Sequence, residues 1–370
     1  MALVRRHGRG ILDRFILKEM AGPFIFGVMS FTMVFVAGDL LFQIASLIIE
    51  KGISLGVVVR LFLYRLPEVI ILTLPMACLL SSLLTFGKLS ANSELVALKA
   101  SGIAFQRILR PVIWGAIIVG FAALILNETV VPFSNRAAEN LMRYEVMREK
   151  PSLLQEQVFL RDESQGELNR VIYIEKLQPR KGTMSNILVQ EFEKGKLRRI
   201  TVGKTGLWKD GKWWLNDGEV YQVGETGKVE LLFHFDRQHF ELDLSPQQVE
   251  QASRKPKEMS ATELLVHIRL LKAQGARLAP LWVMFHLKLA VPWASVVLAI
   301  LGASLGVRSH RTGSGVGFGL SVVIVFVYYV VMSFCKALGE TEHMMPFIAA
   351  WLPNVLFLLV GSFFARKAND

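Results

Sequence analysis

Residues 87–111, GKLSANSELVALKASGIAFQRILRP, decide how the rest of this 370-residue chain is arranged. The stretch carries Lys88, Lys99, Arg107 and Arg110 against one acid, Glu94. Apolar sequence flanks it, over 54–86 and 111–131. About 20 apolar residues suffice to cross a bilayer, so a polar, amphipathic, basic segment between two such runs belongs at a membrane face. Ser90 or Asn92 is placed to cap a short helix over about 90–102, and Gly102 to end it. Glu94, Leu98 and Ser101 then share one side at i, i+4, i+7, with Leu95 and Ala91 on a neighbouring strip. Two readings fit. The helix docks into a partner's groove through Leu95 and Leu98, with Glu94 meeting a partner Arg or Lys, or it packs on lipid headgroups.

Outward from this segment the chain reads as six spans. The leader over 1–19 sets Arg5, Arg6, Arg9, Arg14 and Lys18 against Asp13 and Glu19, which suits an anionic lipid surface. The apolar run after it is too long for a cleaved signal. The expected spans cover 20–38, 54–86 with a kink at Pro75, 111–131, 281–307, 315–335 and 346–364. The run GSGVGFG at 313–319 offers small residues for close helix packing. Half of the composition is hydrophobic (52%) and mean hydropathy is +0.41, too apolar for an ordinary soluble domain.

Between the third and fourth spans the composition changes. Residues 134–258 hold a helical lead-in at 136–150 and then short β-rich runs, among them RVIYIEKL, NILVQEF and EVYQV. Turn chemistry separates them at Asp210-Gly211, Asp217-Gly218 and Glu225-Thr226-Gly227. Alternation assigns an apolar interior to Val158 and Leu160, Val171 and Tyr173, Ile187 and Val189, and Leu232 with Phe235. A lipid-guiding slot and an ordinary core both fit this pattern. Ser260 and Glu263 fit a capping box at the head of a helix over 260–274. The fold class is therefore an α-helical membrane protein with six transmembrane helices. An extracytoplasmic all-β domain, jelly-roll-like, is inserted between spans three and four. The expected units are 1–133, 134–258 and 259–370.

The net charge of +11 is spread over loops rather than collected on a soluble face, so a membrane and not nucleic acid is the expected partner. With the termini cytoplasmic, the basic leader, the polar helix and the turn at Arg308 and Arg311 lie inside, and the β-domain lies outside. Lys51, Arg60, Arg65, Arg136 and Arg143 then fall near the outer interface, where arginine suits bidentate phosphate contact. Snorkelling, or an Arg65–Glu68 ion pair, accounts for the two span arginines equally. His286 and Lys288 in the fourth span are functional candidates or members of a structural pair.

Catalytic motifs are missing. Gly203-Lys204-Thr205 lacks the earlier glycine of a P-loop, since Arg198 stands there, and reads as a turn between strands. No HExxH or CxxC occurs, and two cysteines, Cys78 and Cys335, build neither a disulfide framework nor a zinc site. No cofactor, metal or catalytic residue is expected.

LSANSELVALKASGIAFQRILRP is similar to the signature of the LptF/LptG permease family, the membrane subunits of the lipopolysaccharide exporter. LDRFILKE at 12–19, LPEVIILTLPMACLLSSLLTFGKL at 66–89, NETVVP at 127–132, FHLKLAVPWASVVLAILG at 285–302 and WLPN at 351–354 also resemble it. The resemblance implies a permease subunit in the inner membrane that pairs with a second permease, a paralogue or itself. It implies LptB-like ATPase subunits that grip the polar helix from the cytoplasm, and an LptC-like bridge that receives lipid from the β-domain. Glu94 matches the family's coupling-helix acid, with Leu95, Leu98 and Gly102 around it. Where some members carry a lysine in the first span, this chain has Asp39 and Gln43. Two rival classes stand beside this reading: an ATP-linked membrane protein that pulls on an envelope partner without moving lipid, and a membrane-anchored envelope enzyme. A reporter enzyme fused within residues 160–250 should be active only outside the cytoplasm; cytoplasmic activity would invert the topology.

Overall fold

The computed structural model describes residues 2–40, 53–142, 155–164, 167–179, 181–193, 196–224, 228–240, 242, 244–246, 249, 256, 259–272, 278–307 and 314–368. They form two compact units, one of Met1–Arg148 with Trp282–Asp370 and one of Glu149–Leu281.

The first unit is helical. Its elements are α1 (Ala2–Phe35, prolonged by a π-helical turn at Val36–Leu40), α2 (Leu55–Ala91), α3 (Glu94–Ala100), α4 (Phe105–Glu128) and α5 (Val130–Leu141). After the second unit, which includes α6 (Ala261–Lys272), come α7 (Ala279–Gly306), α8 (Ser314–Glu340) and α9 (Pro346–Lys367). Six stretches are long and apolar enough to span a membrane: Gly10–Gly38, Leu55–Ala91, Phe105–Leu141, Ala279–Gly306, Gly315–Glu340 and Pro346–Lys367. The second and third exceed the apolar runs that announce them. α2 continues past Phe86 to Ala91, with Leu89 and Ser90 buried. Pro111 lies inside α4 rather than at its start. The expected lead-in at 136–150 begins within α5, which follows α4 after a break at Thr129, and its residues 143–150 lie outside the described set.

Small residues bring α7 onto α2. A Cβ at Gly302 would meet Ser82 Oγ at 2.3 Å and Leu79 O at 2.5 Å, and one at Gly306 would meet Leu83 O at 2.7 Å. This is a small-xxx-small contact, in which the missing side chain lets two backbones touch. The glycine run at 313–319, expected in that role, behaves differently. Gly315 and Gly319 face open space, and only Gly317 comes close to a neighbour, Leu84. Three polar side chains inside the bundle are paired across helices, which offsets the cost of burying them in an apolar surround. The Tyr328 hydroxyl donates to Asn354 Oδ1 at 2.8 Å, and Asn354 Nδ2 donates to Ala290 O at 2.8 Å. Tyr329 donates to Leu72 O at 3.0 Å.

The second unit holds one antiparallel sheet, β1 (Gln155–Ser164), β2 (Glu167–Gln178), β3 (Thr183–Glu193), β4 (Lys196–Lys209), β5 (Lys212–Val223) and β6 (Val229–Phe240), paired in sequential order. Asp210 and Gly211, both at positive φ, turn β4 into β5 as Asp-Gly does in two-residue hairpins. Asp217-Gly218 is not a turn; it lies within β5, as Gly203-Lys204-Thr205 lies within β4. The cause is a polar crease. Glu175, Asn186, Lys204, Asp217 and Asp236 have no partner in the described ladders, while pairing resumes on either side of each. Asn186 and Asp217 adopt φ of 51° and 54° there, and Asp217 pairs with Lys204 at 3.7 Å.

The buried face also differs from the alternation reading on two strands. Ile172 and Ile174 are interior on β2, opposite Val189 and Ile187, rather than Val171 and Tyr173. Leu232 is exposed, because a register shift between Val220 and Tyr221 skips it, and only Phe235 packs on the core. The side chains of Val158 and Leu160, like residues 225–227, lie outside the described set. Ser260 and Glu263 form the capping box reciprocally, at 3.0 and 3.1 Å.

Gly302→Ala should destabilise the detergent-solubilised chain by about 1–3 kcal/mol through overpacking. Gly315→Ala, in open space, should leave its thermal midpoint unchanged.

Candidate functional site

The segment between α2 and α4 is built by local backbone chemistry. Asn92 ends α2 with its N–H on Lys88 O at 3.0 Å, and Ser93 turns the chain at a φ of 61°. Neither Ser90 nor Asn92 caps α3, contrary to the expectation from spacing. Ser90 belongs to α2, and Ser93 precedes α3 without a side-chain cap bond. The helix is shorter than 90–102 for this reason. Its far end has the expected glycine: Gly102, at a φ of 81°, donates its N–H to Lys99 O at 2.9 Å, and Ile103 donates to Leu98 O at 3.2 Å. That pair of bonds is a Schellman motif, and Ile103 and Leu98 pack on one cluster as the motif favours.

The side chains divide sharply. Leu95 is 3% exposed and belongs to a core cluster with Phe86, Leu89, Phe105, Ile108 and Val307. Leu95 thus faces its own bundle, and Leu98, half-buried, packs against the same cluster. The outward surface is instead Val96, 56% exposed, with Ala97, Ala100 and Ser101. Glu94 is half-buried, and its Oε1 accepts from Asn92 Nδ2 at 3.0 Å.

Charged and polar groups tie the segment to distant spans. Lys88 donates to Glu19 Oε2 at 2.6 Å. Arg107 donates to both oxygens of Asp13, at 2.5 and 3.1 Å, the bidentate geometry that arginine favours. Ser90 Oγ donates to Val307 O at 2.9 Å, and Lys99 Nζ donates to Ala368 O. The acids at 13 and 19 stand out in a basic leader. Nothing in the sequence points from Ser90 to Val307 or from Lys99 to Ala368, because a side-chain bond to a carbonyl has no residue-type signature.

The basic candidates at the opposite end of α2 are placed in part. Arg60 is exposed and its Nε donates to Gly56 O at 3.5 Å. Arg65 pairs with Glu68 at 3.7 Å, the ion pair that the spacing allowed. Arg136 projects from α5. Val57 and Leu61 of α2 pack on Ala138 and Leu141 of α5, which brings the Arg60 and Arg136 helices together. Lys51, Arg143 and Gln43, and the side chain of Asp39, lie outside the described residues. His286 sits in an aromatic nest, stacked on Trp282 at 5.9 Å with Phe285 at 5.3 Å and Phe347 at 5.5 Å. Among the described residues no cluster of His, Cys, Asp or Glu could hold a metal ion.

In the sheet unit a cavity of about 260 Å³ opens beside Val189, Leu215 and Phe233, bordered by Arg170, Glu191 and Arg199. The three charged residues are direct cross-strand neighbours. Glu191 meets Arg170 at 3.4 Å and Arg199 at 3.6 Å.

Comparison with known proteins brings these features together. Residues 14–367 match the family model described as lipopolysaccharide export system permease LptF/LptG. The chain is 24% identical over 308 residues to the lipopolysaccharide export system permease protein LptG of Escherichia coli K12, covering 81% of this chain and 82% of that one. The LptG of E. coli O6:H1 matches with the same identity and coverage.

Leu95→Ala should lower the stability of the helical unit by about 2–5 kcal/mol, the cost of a cavity in a packed core. Val96→Ala, on the exposed side of the same turn, should stay within about 0.5 kcal/mol of the parent in the same thermal melt.

Proposed function

The chain belongs to the lipopolysaccharide export permease family LptF/LptG, and on that footing we propose that it is a permease subunit of an ATP-driven exporter that draws lipopolysaccharide from the inner membrane. In this reading α3 is the docking helix for an LptB-like ATPase on the cytoplasmic side. The β-domain lies in the periplasm and hands lipid to an LptC-like bridge. A second permease, paralogous or identical, completes the transporter. The chain performs no covalent chemistry, and ATP is hydrolysed in the partner.

One observation carries the reading. A short helix sits at the end of the bundle, braced from beneath by Leu95 and Leu98, with a small-residue surface turned outward. A headgroup-packing helix would be expected to turn its large apolar side chains toward lipid; here they point into the protein. The outward Val96, Ala97, Ala100 and Ser101 let a partner approach the backbone closely. Glu94, held by Asn92, presents a fixed carboxylate at the edge of that surface. Such a carboxylate suits an arginine on the ATPase. At the other end, Arg60, Arg65 and Arg136 are the described candidates for lipid phosphate, with Arg65 paired to Glu68. The sheet cavity, with Val189, Leu215 and Phe233 beside it and Glu191 between Arg170 and Arg199 at its border, suits an amphiphile in transit.

Glu94→Ala should reduce co-purification of the ATPase about tenfold or more while leaving membrane insertion intact, the scale expected for truncating one partner of a desolvated charge pair. Undiminished ATPase binding and lipid export would remove α3 from the coupling role.

A further inference from the structure

The two contacts that reach from the α2–α3 segment into the C-terminal half have the same form. Ser90 Oγ donates to the carbonyl of Val307, one residue past the end of α7. Lys99 Nζ donates to the carbonyl of Ala368, one residue past the end of α9. The last carbonyls of a helix have no intrahelical donor, and they carry the negative end of its dipole. Each bond therefore satisfies an orphan acceptor at the terminus of a different span. The Lys99 bond is charge-assisted as well. The apolar packing follows the same route: Val307, Ala368, Ala303 and Ala365 share one cluster with Leu95 and Leu98.

We propose that Lys99 is a positioning residue that fastens α3 to the end of the sixth span, while Ser90, in the last turn of α2, fastens the base of the same segment to the end of the fourth, so that displacement of α3 is delivered to the C-terminal half of the permease. This rests on the reading of α3 as the ATPase-docking helix. The physical requirement is plain. A seven-residue helix pushed by a partner is covalently joined only to α2 and α4, so its motion reaches the C-terminal spans through non-covalent contacts. A capping bond differs from apolar contact in being directional, so the span end follows the donor instead of sliding over it.

The test uses the full complex, with its ATPase and both permease subunits, in proteoliposomes containing lipopolysaccharide. ATP hydrolysis and lipopolysaccharide extracted per ATP are measured together. Lys99→Met keeps the aliphatic stem and removes the donor. It should leave the ATPase bound and hydrolysing, while extraction per ATP falls about fivefold or more, at the lower end of ordinary coupling energies. Lys99→Arg, which restores a charged donor, should restore extraction. Unchanged extraction per ATP in Lys99→Met overturns the proposal. So does loss of the ATPase from that variant, since Lys99 would then serve docking rather than transmission. If Lys99→Met does not fold, Ser90→Ala is put through the same measurement with the same expected loss, and unaltered coupling there is equally fatal. The Glu94→Ala complex separates the two readings: retained ATPase binding in it refutes the docking helix itself, whatever Lys99 does.

Discussion

Leu95 buried beneath a polar helix is the contact on which the membrane half of this protein depends. A segment rich in Lys, Ser and Gly has no reason of its own to stay folded against a bundle, and seven residues are too few for a stable isolated helix. Burial of Leu95 and Leu98 on Phe86, Phe105, Ile108 and Val307 supplies the missing free energy. The Schellman motif at Gly102 fixes where the helix stops. Once the helix is seated, its outward side is necessarily the strip of small residues opposite the leucines. The exposed surface of α3 is thus a by-product of the anchoring.

The same economy appears deeper in the bundle. The long α2 is the element against which the others pack, and Gly302 and Gly306 allow α7 to lie with its backbone against that of α2. Asn354 joins three helices by accepting from Tyr328 and donating to Ala290. Close backbone contact and satisfied polar bonds are what hold helices together where lipid removes the usual hydrophobic gain.

Much of this was legible in the sequence. Six apolar runs announced six spans, because crossing a bilayer sets a length and composition that few soluble segments share. The Asp210-Gly211 hairpin and the Ser260–Glu263 capping box were readable because each is a local, short-range chemistry. Asp217-Gly218 carried the same turn signal and misled. Its positive φ belongs to a crease running across the sheet, and only the neighbouring strands reveal that. The β2 interior was misread by one residue for a related reason. Val171, Ile172, Tyr173 and Ile174 are all apolar, and the register opposite Val189 chooses between the two alternating sets.

By itself the sequence determined the membrane class, the inserted β-region, the helix between the second and third spans and the acid at its head. Each of these follows from composition or from spacing within a few residues. Tertiary structure alone decided which side of that helix is free. Leu95 and Leu98 offer the same apolar strip to a partner as to the protein's own core, and helical periodicity is indifferent to which one is present. It also decided what the helix is fastened to. Ser90 with Val307 and Lys99 with Ala368 join positions 217 and 269 residues apart through backbone carbonyls, which every residue possesses and no sequence pattern marks.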